Sequence, residues 1–201
     1  MVGEVNIAKL MPKIQSALDR LLTKTDFDSL TVTDIAKEVG FSRQYFYRAF
    51  ADKYALIVEL FEYDMKRGVE VFFTPRFCYM HTLQFILENR RIYKSILSSS
   101  YSAYLYDVMY NYGIEFVRAM AEYMSIRTFT KEQDNRIRLY FLGVTSMLVK
   151  TITGSEHFSK EELDRIFYDN IPQFLDFLKD ETVTKDYIMY KIMKYREGHI
   201  V

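Results

Sequence analysis

Between Thr31 and Ile57 the chain reads TVTDIAKEVGFSRQYFYRAFADKYALI, two short helical patterns divided by a glycine-containing turn. Thr31 with Asp34 three residues on is a capping-box-like start; Ile35, Ala36 and Val39 then form one short apolar face, and Gly40 ends it. Ser42 is placed to cap the second pattern, in which Phe46, Ala49 and Phe50 share one side at the 3.6-residue period. Gln44 and Arg48, four apart, point the other way, with Tyr45 and Tyr47 flanking them. Arg and Gln can each make paired hydrogen bonds to a purine edge, and tyrosine hydroxyls reach phosphates. The segment predicts a helix-turn-helix whose second helix faces a major groove.

The surrounding pattern narrows this further. Ile14, Ala17, Leu18, Leu21 and Leu22 give a preceding helix its stripe, and Asp52 is set to cap a fourth helix that opens with Lys53. The helix 1 stripe, Phe27, Thr31-Val32-x-Asp34-Ile35-Ala36-x-x-Val39-Gly40-x-Ser42 and Phe46-Tyr47-x-x-Phe50-x-x-Lys53-x-x-Leu56 together resemble the TetR family of bacterial regulators. The likeness covers about the first quarter of the chain; beyond Ile57 it is one of architecture only. The resemblance implies base-facing roles for Arg43, Gln44 and Tyr47, and positions near phosphates for Thr31, Thr33, Ser42, Tyr45 and Lys53. Many family members carry His where this chain has Ala49, so Arg48 or Lys53 is expected to supply the missing charge. Lys53, in the first turn of its helix, would add an ammonium to N–H groups that already favour an anion.

Charge contributes little to this. The whole chain is neutral, and residues 1–53 carry eight Lys/Arg against seven Asp/Glu. Such a protein must rely on base readout and symmetry more than on bulk attraction to phosphate. With 49% apolar residues, 16% aromatic, only 7 Gly and 3 Pro, the chain predicts an all-α protein: helix-turn-helix domain at 1–52, helical ligand-binding and dimerisation domain at 53–201. A single cysteine, Cys78, fits a reducing compartment, and no cationic leader or membrane-length apolar run is evident, so a cytoplasmic protein is expected.

The body reads as successive helices. The fourth runs from Lys53 towards Phe72 and ends at Thr74-Pro75, short ones follow at about 77–88 and 90–98, and a long one spans about 102–125. That long helix has Leu105, Val108, Met109, Tyr112, Phe116, Ala119, Met120 and Tyr123 on one stripe. Helices at about 131–153 and 160–178 follow, the second capped by Ser159 with Glu162 and kinked or divided by Pro172. Their broad stripes predict a homodimer interface through Tyr140, Val144, Met147, Phe167 and Phe174, with Gly143 and Ser146 allowing close approach. A last amphipathic stretch lies at about 183–196.

Asp64 is the odd residue of the fourth helix, a carboxylate on the inward stripe between Leu60, Phe61 and Gly68 that needs a partner. A Tyr hydroxyl or Arg from a neighbouring helix is one candidate. The other is a ligand pocket lined by Phe61, Met65, Phe72, Met109, Tyr112 and Phe116, where Asp64 would recognise a polar or cationic group on an apolar or aromatic molecule. Cys78 and His81 stand at helical spacing, but no second ligand completes a metal set and Phe85 continues their face; core packing is the reading, with no metal and no cofactor. Neither a phosphate loop nor a supported catalytic triad is present, so no enzyme is expected. The resemblance implies a ligand-responsive repressor, binding double-stranded DNA at a palindromic operator as a homodimer. An activator of the same fold, or a helical interaction module that does not bind DNA, stays open.

Overall fold

The computed structural model describes residues 6–71, 83–123 and 128–179, and every regular element among them is helical. Helix α1 (Ile7–Leu21) starts where the Asn6 side chain accepts from Lys9 N at 3.0 Å, and it buries Met11, Ile14, Ala17 and Leu18 on one face. Helix α2 (Val32–Val39) opens on a full capping box: the Thr31 hydroxyl accepts from Asp34 N, and the Asp34 carboxylate accepts from Thr31 N. It stops at Gly40, whose φ of 86° is the left-handed region that glycine enters freely, with Phe41 N closing onto Ala36 O at 2.9 Å. Helix α3 (Arg43–Ala49) is capped by Ser42, and α4 (Lys53–Val71) by Asp52, whose carboxylate accepts from Ala55 N.

The body continues with α5 (helical residues 83–88), α6 (Arg90–Leu97), α7 (Ser102–Tyr123), α8 (Lys131–Thr153) and α9 (Lys160–Asp169). A 3₁₀ turn at Gln173–Lys179 follows. Pro172 divides the last predicted helix as its missing N–H requires: α9 stops at Asp169, and Leu175 N then donates to Pro172 O at 2.7 Å. Capping boxes start both α8, through Thr130 and Gln133, and α9, through Ser159 and Glu162.

The single stripe expected for α7 is not what the fold uses. Leu105, Met109 and Met120 are buried as predicted, but so are Ile114 and Val117, while Val108, Tyr112, Phe116 and Ala119 are only half-buried. Helix α7 packs on α4, α6 and α8, so its burial wraps around the axis instead of following one face. Phe72, Thr74, Cys78, His81 and the stretch 183–196 lie outside the described residues. One connected core runs from Leu10 and Met11 in α1 through Phe46, Leu60, Ile96 and Val117 to Leu178.

Candidate nucleic-acid interface and interior cavity

Helix α3 is anchored from beneath. Phe46 and Phe50 are fully buried and packed against each other, tilted, with ring centroids 5.1 Å apart, which fixes the depth at which the opposite face stands. Arg43, Gln44, Tyr47 and Arg48 are exposed on that face. Arg43 lies over the Tyr47 ring at 5.9 Å and Arg48 over the Tyr45 ring at 5.4 Å, while Tyr45 leans on Phe41 at 5.2 Å. These contacts stiffen long side chains at small cost in rotamer freedom. Thr33 and Ser42 are exposed on the same side of the turn; Ser42 Oγ accepts from Tyr45 N and keeps its O–H to donate. The Thr31 hydroxyl is committed to Asp34, whose carboxyl is held below its usual range by Thr31's side-chain and backbone hydrogen bonds.

Lys53 has partners other than the expected phosphate. Its ammonium donates to Phe27 O at 2.5 Å and Leu30 O at 2.9 Å, and lies 4.5 Å from the Phe27 ring centroid and 4.9 Å from that of Tyr101. Burial lowers its pKa, against the pull of Asp28 and Asp26. The charge is thus directed at carbonyls in the loop between α1 and α2.

Of the residues expected around a ligand, Phe61, Met65, Met109, Tyr112 and Phe116 line one interior cavity of about 40 Å³. Leu83 and Ile86 of α5 and Val144, Thr145 and Leu148 of α8 join them. Phe61 and Tyr112 meet edge to face at 5.4 Å. Gly113 forms part of the wall because a Cβ there would come within 2.2 Å of the Phe141 ring, and this closeness brings α7 onto α8.

Asp64 is not among the lining residues. It is fully buried, and its carboxylate accepts from Gln15 Nε2 at 2.9 Å, Asn89 Nδ2 at 3.0 Å and Tyr93 O–H at 2.8 Å, with an Arg67 nitrogen 3.9 Å away. The tyrosine partner was anticipated; the two amides, from α1 and from the residue before α6, were not. Desolvation raises the Asp64 pKa, and the three donors pull it back. The same burial and the adjacent carboxylate push the Tyr93 phenol well up.

The residues expected at a dimer interface divide. Phe167 and Val144 are 3% and 5% exposed within one chain, Phe174 packs against Phe129 at 6.3 Å, and Tyr140 donates to Phe167 O at 2.7 Å. Tyr140, Val144, Met147 and Phe167 nevertheless border an open groove between α8 and α9, together with Gly143 and Ile166. Gly143 has nothing of its own chain within 4 Å of a built Cβ; inside the chain, close helix approach occurs at Gly113. Sequence reasoning missed Leu139 and Leu142, 71% and 44% exposed on α8. Their signal was legible as two leucines three apart on the charged side of the helix, between Arg138 and Gly143.

Among the described residues no helix is long and apolar enough to cross a membrane, and no group of three or more His, Cys, Asp or Glu could hold a metal. No curated protein matches the sequence. Among solved structures, a dihydroxyacetone kinase operon activator, DhaS, superposes with a TM-score of 0.54 at 15% identity, over 94% of this chain and 96% of that one. A TetR transcriptional regulator from Rhodococcus sp. RHA1 superposes with a TM-score of 0.51 at 16% identity, over 88% of this chain and 98% of that one. These identities speak to the fold. Residues 14–60, from the middle of α1 into α4, match the model of the bacterial regulatory proteins of the tetR family, so it is this N-terminal segment that carries the family's pattern.

Proposed function

We propose that this protein is a ligand-responsive repressor that binds a palindromic operator as a homodimer in the cytoplasm and has no catalytic role. The observation that carries the reading is the outward face of α3, where Arg43, Gln44 and Tyr47 stand in solvent above the buried Phe46 and Phe50. Residues 1–52 act as the DNA-binding domain and 53–201 as the ligand-binding and dimerisation domain. The interior cavity is the effector site, and the exposed α8 leucines beside the α8–α9 groove are the dimer contact. A ligand releases DNA only by binding better to a conformation whose two recognition helices no longer match successive major grooves.

A structural neighbour that bears the name of an operon activator keeps the second sign of regulation in view. A gel shift with the upstream region of the protein's own gene tests DNA binding, and footprint position against the promoter distinguishes repressor from activator. In the same assay Gln44→Ala should cost about 1–3 kcal/mol and relax preference at one operator position. Unchanged selectivity would mean that the α3 face does not read bases as assigned.

A further inference from the structure

Thr145 is 2% exposed in the middle of α8 and lines the interior cavity. Two other threonines of that helix, Thr151 and Thr153, turn their hydroxyls back onto the carbonyls of Met147 and Val149 at 2.8 and 2.9 Å. Among the described residues the Thr145 hydroxyl makes no such bond. Buried hydroxyls are nearly always satisfied, so one facing a cavity without a protein partner is available to a guest. The rest of the described wall is carbon and sulfur, apart from the Tyr112 hydroxyl, and holds no charged group. Neither buried carboxylate of α4, Glu62 or Asp64, is among the lining residues, and Asp64 is turned to Gln15, Asn89 and Tyr93 instead.

From these observations we infer that the cavity takes an uncharged aromatic molecule carrying one hydrogen-bonding group, a hydroxyl or a carbonyl, with Thr145 Oγ1 as its polar partner. The inference rests on the reading of this cavity as the effector site. An ion entering it would lose its hydration and meet no opposite charge among the described lining residues, which disfavours carboxylates and ammonium groups. At about 40 Å³ the cavity holds water-sized guests. It is smaller than the roughly 150 Å³ that admits benzene elsewhere, so an aromatic guest must displace side chains. Met65 and Met109, unbranched and adaptable, are the walls that can move.

The test uses the full chain and four single-ring probes, phenol, benzene, benzoate and benzylammonium, with neutral benzyl alcohol as the size control for the two ions, followed by calorimetric titration and by the thermal unfolding midpoint. Phenol and benzyl alcohol should bind and raise the midpoint, benzene should bind more weakly, and the two ions should do neither. Thr145→Val should weaken phenol about threefold to tenfold and leave benzene unchanged. Met109→Phe, or Met65→Phe if circular dichroism shows the first to be unfolded, should abolish binding of the neutral probes. Phenol affinity unaltered by Thr145→Val but lost on plugging would overturn the role of Thr145 and leave the effector site standing. Ion binding that matches phenol and is lost on plugging would overturn the ligand class alone. Binding unaffected by the plug, or no binding by any probe at millimolar concentration, would overturn both.

Discussion

A charge withdrawn from water must find partners inside the protein, and Lys53 and Asp64 do so in different ways. Lys53 satisfies backbone: without it the carbonyls of Phe27 and Leu30, both in buried residues, lose their donor. Lys53→Ala should therefore destabilise the fold by about 1–3 kcal/mol, measured by urea unfolding, while leaving the salt slope of DNA binding unchanged. A phosphate contact would instead reduce that slope by about 0.9 with little loss of stability. Asp64 is held by side chains, and burial raises its pKa. For a carboxyl whose pKa is raised on folding, the relative stabilisation is present below the ordinary carboxylate range and is lost as pH rises through the folded value. Urea midpoints taken across acidic pH should show the parent falling relative to Asp64→Asn as pH rises above about 4, then levelling. A constant difference would mean that Asp64 titrates normally. The sequence made the need for an Asp64 partner plain, because an inward carboxylate stands out in an apolar stripe. It could not name Gln15 or Asn89, which are 49 and 25 residues away and carry amides common on any surface. Lys53's partners are backbone oxygens and leave no side-chain signature at all.

At the scale of elements, the caps were the legible part. Thr31, Ser42, Asp52 and Ser159 all accept from the backbone three residues on, since a cap is a local contact written within four residues. Thr130 with Gln133 has the same signature and was equally open to reading. Helix neighbours were less legible. Periodicity says which face is apolar and not how many helices will cover it, so α7, covered by α4, α6 and α8, departed from its predicted stripe. Glycine leaves a similar ambiguity: inside the chain the close approach is of Phe141 on Gly113, a contact that no local pattern marks. Gly113→Ala should accordingly lower stability by about 1–3 kcal/mol, because the buried Phe141 ring lies where the added methyl would go and must shift. Phe141→Leu in the same chain should recover part of the loss, and a double-mutant cycle measures the coupling. Additive losses would show that α7 and α8 adjust independently.

For the whole molecule, the helical fold and the helix-turn-helix were legible, whereas the outer face of α8 went unread. Leu139 and Leu142 lie off the stripe that builds the chain's own interior, and their exposure in the folded chain turns a faint sequence signal into a distinct patch. Leu139→Glu should leave circular dichroism and urea stability within about 0.5 kcal/mol of the parent. Sedimentation should give a monomer, and operator affinity should fall about 100-fold or more as the two half-sites lose their linkage. A dimer of parental strength would place the contact elsewhere. The near balance of charge in residues 1–53 makes this linkage matter more, since one copy has little general attraction for phosphate to fall back on. The cluster around Asp64 draws on α1, α4 and the start of α6, so the N-terminal helices and the body share one buried charge. Such a chain is a poor donor for modular exchange. A chimera that replaced α1 with another protein's helix would strand the carboxylate unless glutamine, or another donor of the same reach, arrived with it at position 15.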